Sequence, residues 1–203
     1  MKNVGEFDYE KATQAINFLA RSEGGEIDKL KLIKLIYFAD RYHIRRYGRP
    51  IFNDTYFAMK YGPVASSVAN IADLSTYLPV EERQYAERYL GRNRKSENSV
   101  KSLADMDSDL LAKSEIEALK FAYQNYGRYK ASTLVNVTHK YPEWAKFSDA
   151  LESGESTREI MNYLDFFQDP EENSNDKFKA DKKTLSAAKD RFSEDYRIAE
   201  AWK

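Results

Sequence analysis

Residues 28–48 read DKLKLIKLIYFADRYHIRRYG, and this stretch decides the fold. At about 100° per residue, Ile33, Ile36, Tyr37, Ile44 and Tyr47 share one face, widened by Leu32, Leu35 and Ala39. Only a narrow stripe is charged: Lys31, Lys34, Arg41 and Arg45. A helix this apolar is expected to be buried on most sides. Its ends are marked too. Asp28 suits the N-cap, Ile27 and Leu32 form a hydrophobic staple, and Gly48 suits the C′ position with Pro50 two residues on. The reading is a mainly α, compact multi-helix domain around a central buried helix at about 28–47.

The flanks follow from the same rules. Tyr9, Ala12, Ile16, Leu19 and Ala20 make a helical stripe over about 8–21, broken by Gly24-Gly25. The segment 55–60, TYFAMK, is short and β-prone. Tyr61-Gly62-Pro63 is a turn, with Pro63 suited to position N1 of a helix over about 63–74. Residues 79–95 read as helix and loop, and 93–102 as polar and exposed. Ser114-x-x-Glu117 has the spacing of a capping box for a helix ending at Gly127. Further helices are expected over 132–141 and 155–167. The stretch QDPEENSNDKFKADKK, 168–183, has the composition of a linker. Beyond it, Leu185, Ala188, Phe192, Tyr196 and Ala199 give a terminal amphipathic helix reaching Trp202. The division is therefore a helical domain at 1–167, a polar linker at 168–183 and a C-terminal helix at 184–203.

Composition removes several function classes. The 203-residue chain has no cysteine, so thiolate zinc sites, disulfides and a cysteine nucleophile are excluded. Two histidines cannot build a three-histidine metal site. Lys and Arg number 32 against 33 Asp and Glu, which gives no global attraction to nucleic acid. A hydrophobic share of 42% allows a real core. No segment is a membrane span, and Met1 to Glu10 lacks a signal-peptide pattern. A soluble cytoplasmic protein without a cofactor is expected.

Asp40 falls on the apolar face of the central helix, with His43 one turn on, and His139 stands near a helix end. An acid/base or metal pair is one reading of these groups. The competing one, favoured here, is structural: a buried carboxylate clasp, and a histidine satisfying carbonyls at a helix C-terminus. Asp105, Asp107 and Asp109 alternate but lack the loop glycine and terminal Glu of an EF-hand. Arg41, Arg45, Arg46 and Arg49 form one basic group, and Arg83, Arg88, Arg92, Arg94 and Lys95 another. Interspersed acids favour a solvated face over a nucleic-acid site.

Three blocks carry a family resemblance: KLIKLIYFADRYHIRRYGRPIF from Lys31, AMKYGPVASSV from Ala58, and LAKSEIEALKFAYQNYGRYKASTLVNVTHKYPEW ending at Trp144. In order and spacing they resemble the SocA-like, or Panacea, antitoxin domain over roughly 12–145. The most specific parts are Lys60-Tyr61-Gly62-Pro63-Val64 and the stretch with His139, Pro142 and Trp144. The resemblance implies a mostly helical antitoxin of a prophage-associated type II toxin–antitoxin pair. It would neutralise a cognate toxin by binding it, in some cases also delivering the toxin to a protease. It supplies no catalytic residues. Some relatives carry an added DNA-binding domain, for which this chain leaves no space before its first helix.

The residues themselves suit a binder. Phe38 interrupts the charged stripe: either a neighbouring helix covers it, the favoured reading, or, as an exposed aromatic framed by Arg41 and Arg45, it is an interface anchor. Tyr85 and Tyr89 offer a second partner surface, and the C-terminal helix a third. Two rival functions stay open at this stage: a hydrolase or metal-dependent nuclease using Asp40, His43 and His139, and a nucleic-acid-binding regulator using Arg83, Arg88 and Arg92.

Overall fold

The computed structural model describes residues 5–93, 96–171 and 176–201. Arg94, Lys95, Trp202 and part of the expected linker, 172–175, lie outside these residues. Helix α1 (Tyr9–Ser22) starts at Asp8, whose carboxylate accepts the Lys11 N–H at 2.9 Å. After strand β1 (Glu26–Asp28), Asp28 caps α2 (Lys29–Tyr47) by accepting the Lys31 N–H at 2.8 Å. The helix ends at Gly48, left-handed at φ +68°. A side chain there would also collide with the Ala188 carbonyl of the C-terminal helix, so the position requires glycine twice over.

The β-prone segment forms strand β2 (Tyr56–Met59), which pairs with β3 (Gly62–Ala65) in a hairpin. Pro63 therefore lies in a strand, and α3 (Ser66–Ala72) begins later than its proline suggests. Asp54 explains the shift. Its carboxylate accepts the N–H groups of Ser67 (3.0 Å) and Val68 (2.8 Å), capping α3 from outside the helix. Helix α4 (Val80–Tyr89) leads into β4 (Leu90–Asn93) and β5 (Ser96–Ser102), so 93–102 is not simply an exposed loop. Val100 is buried where β5 pairs with β1.

Helix α5 (Lys113–Tyr126) is capped at Ala112, two residues ahead of Ser114. Glu115, not Glu117, accepts the Ala112 N–H, at 2.8 Å. Then come α6 (Ala131–Thr138), α7 (Pro142–Ala145) and α8 (Ser148–Ser153). The helix expected over 155–167 is instead strand β6 (Arg158–Ile160) and a 3₁₀ turn, Tyr163–Phe167. Edge pairing with β2 claims this segment, Phe57 facing Ile160. Helix α9 (Lys182–Ala201) closes the described chain.

The architecture is mainly α, with two small antiparallel sheets ordered β1-β5-β4 and β3-β2-β6. Helices α1, α5, α6 and α9 all pack on α2, together with β3. One hydrophobic core contains residues from α1 through Phe178 and Phe192. The stretch expected as a linker thus delivers a core residue. Its polar composition hides Phe178, which is completely buried.

Candidate functional site

The charged stripe of α2 is interior, and this corrects the expected partner surface. Phe38, Arg41 and Arg45 are each 0% exposed. Phe38 stacks on Tyr126 at 4.2 Å between ring centroids and lies 5.7 Å from Phe178. Arg41 pairs with Glu143, itself fully buried, and donates from Nη2 to the Gln168 carbonyl at 2.8 Å. The Tyr37 hydroxyl donates to the same Glu143 oxygen at 2.5 Å. Arg45 donates to the carbonyls of Phe166 (2.9 Å), Gln168 (2.9 Å) and Phe178 (3.2 Å), and pairs with Asp169. Two buried cations are tolerated because a buried anion and a row of carbonyls surround them.

Tyr85 is interior as well. Its hydroxyl accepts a hydrogen bond from Gln14 Nε2 at 2.9 Å, holding α4 against α1. Tyr89 is half-buried beside it, ring centroids 5.2 Å apart. The second arginine group is already engaged. Arg83 pairs with Glu87 at 4.0 Å, Arg88 lies 4.6 Å over the Tyr85 ring, and Arg92 donates to the carbonyls of Asp73 and Leu74.

Asp40, His43 and His139 share no hydrogen bond with one another. Asp40 Oδ1 accepts the Ile51 N–H at 2.5 Å, beyond the end of its own helix. Its other oxygen has no hydrogen-bond partner among the described residues, although Tyr56 acts on the carboxyl. Burial pushes its carboxyl up to about 7. His43 Nδ1 lies 2.8 Å from the Arg49 carbonyl, which can only accept, so Nδ1 carries the proton. Nε2 then accepts from the Ser114 hydroxyl at 3.1 Å. This neutral ring agrees with burial pulling its pKa down to about 4. His139 does not bond helix-end carbonyls as expected: it stacks flat on Trp144, 3.5 Å between centroids and 4° between planes, and its Nε2 has no hydrogen-bond partner among the described residues. Burial, then the nearby Lys34 charge, lowers it to about 4. Among the described residues no group of three or more His, Asp or Glu could hold a metal ion.

The two most specific sequence blocks meet in space. Trp144 Nε1 donates to the Met59 carbonyl at 2.9 Å. Gly62, at φ +91°, lies so close to Thr138 Oγ1 that a Cβ would overlap it, and the same Cβ would crowd Lys34 Nζ. Lys34 is fully buried and donates to the Pro63 carbonyl at 2.8 Å. Burial pulls its ammonium down to about 7. Lys60 and Tyr61, at the hairpin tip, are exposed. Glu143 was not singled out in the sequence, and Lys34 was read only as part of the charged stripe. The signal for Glu143 was its place between Pro142 and Trp144 in a helix too short to bury charge casually. For Lys34 it was the apolar run on both sides.

Asp40 yields a pH test. Its folded pKa lies above the ordinary value of 3.8, so its stabilising protonated form is lost as pH rises through about 7. Asp40→Asn cannot ionise. Its stability relative to wild type is expected to rise between pH 4 and pH 8 by on the order of 3 kcal/mol. The histidines titrate in both proteins and cancel in the difference. Denaturation midpoints at the two pH values measure it, and a pH-independent difference would contradict it.

The class defined is a mainly helical domain whose buried polar side chains tie distant segments to one central helix. A family model described as Antitoxin SocA-like, Panacea domain, matches residues 32–145, and the chain belongs to this family. Membership supports an antitoxin role, suggests a non-enzymatic one, and implies a toxin partner in general. No curated protein and no solved structure matches the chain. Among the described residues no helix is long and apolar enough to cross a membrane.

Proposed function

We propose that this chain neutralises a cognate toxin in the cytoplasm by binding it directly. The supporting observation is family membership over residues 32–145. Co-expression tests the reading. The product of the adjacent gene should arrest growth alone, and this chain should restore growth and co-purify with it. Neither rescue nor complex would refute the proposal. Toxin abundance separates two routes: binding alone leaves it unchanged, whereas delivery to a protease lowers it.

A further inference from the structure

We infer that the outer face of the β3-β2-β6 sheet is the toxin-docking surface, an inference that rests on the toxin-binding reading above. Directly paired residues of antiparallel strands project to the same face. The pairs Phe57–Val64, Phe57–Ile160 and Met59–Arg158 therefore share one. The opposite face carries Tyr56, Ala58 and Ala65, all buried. An antiparallel sheet with one side on the core normally alternates apolar inside with polar outside. This one does not: Phe57 and Val64 are half-buried, and Met59 and Ile160 are 38% and 48% exposed. Tyr61 extends the surface from the hairpin tip at 62% exposed. A contiguous apolar face on a chain with so many charges marks an interaction site.

Charge selects the occupant. Arg158 lies 5.2 Å over the Phe57 ring, and neither Arg158 nor Lys60 has an ion-pair partner among the described residues. Two free cations bordering an apolar centre fit a protein surface with an apolar patch rimmed by carboxylates. They disfavour a second copy, which would bring like charges together. The strands also divide the task. Strands β2 and β3 lie inside the family-matched region, whereas β6 lies beyond residue 145. Arg158 and Ile160 thus border, from outside the matched region, a surface whose other two strands lie within it.

The test uses the full chain and the purified product of the adjacent gene in a titration. Met59→Glu/Ile160→Glu should weaken the complex at least about 100-fold, because it puts charge in an apolar centre facing acids. Arg158→Ala, which leaves strand pairing untouched, should weaken it about 10-fold and reduce its salt dependence. Melting temperatures within a few degrees of wild type show that the fold is retained. A complex that tolerates both variants would overturn the surface while leaving the toxin reading intact. No complex with the wild-type chain would remove both.

Discussion

Glu143→Ala is expected to destabilise the fold by about 3–5 kcal/mol, since it leaves Arg41 buried without its anion. The neighbourhood offers no substitute. The Arg41 guanidinium lies 4.1 Å over the Tyr141 ring, and its Nη2 already serves the Gln168 carbonyl. Tyr37 would lose its acceptor at the same time. Domains of ordinary stability hold about 5–15 kcal/mol in all, so this one change removes a large part. Urea denaturation measures it as a fall in midpoint at constant slope. Glu143→Gln keeps the shape and should cost less, about 1–3 kcal/mol. The network is not perfectly satisfied: Arg41 Nε and Glu143 Oε2 have no hydrogen-bond partner among the described residues. Replacing both ends together, Arg41→Met with Glu143→Leu, should therefore recover much of the single-variant loss. A near-wild-type midpoint for Glu143→Ala would mean that the pair contributes nothing.

That network also marks where the sequence stops being legible. The central helix was readable because its determinants are local. Asp28, Gly48 and the 3.6-residue periodicity act within a few residues of the elements they set. The fate of its charged stripe was not. Arg45 is bonded to Phe166 and Phe178, more than 120 residues away, and no local pattern announces such partners. The surface reading of Phe38, Arg41 and Arg45 failed for that reason. The short strands failed similarly. Strands of three or four residues such as β3 and β6 exist only because β2 lies between them, so their own propensities carry little weight. Ser114 shows a subtler failure. Its box spacing is sound, yet the helix is capped two residues earlier, at Ala112, and its hydroxyl serves His43 instead. Of the candidate site, the structural reading of Asp40 and His43 was accessible from their positions on an apolar face. The meeting of Gly62, Thr138, Trp144 and Lys34 required the tertiary fold.

Phe178→Ala tests the feature that composition concealed most completely. It should cost about 3–5 kcal/mol, as for a large buried aromatic whose site cannot collapse. The ring centroid lies 5.7 Å from Phe38, 5.4 Å from Phe121, 5.6 Å from Tyr126 and 5.4 Å from Tyr141. These rings come from α2, α5 and the loop before α7, elements rigid in their own right, so a cavity would persist. For a chain of this length each kcal/mol lowers the melting temperature by about 2–4 °C. A drop of roughly 10 °C is therefore expected. Ile198→Ala on α9, at a position 52% exposed, should stay within about 0.5 kcal/mol of wild type. The contrast is diagnostic. A linker tethering an independent helix would tolerate both changes alike. A segment that completes the core must fail at Phe178 alone, because that side chain fills the space over Phe38 and its carbonyl accepts from Arg45. If both variants melt with wild type, residues 176–201 are an appendage, and the central helix must be shielded by other means.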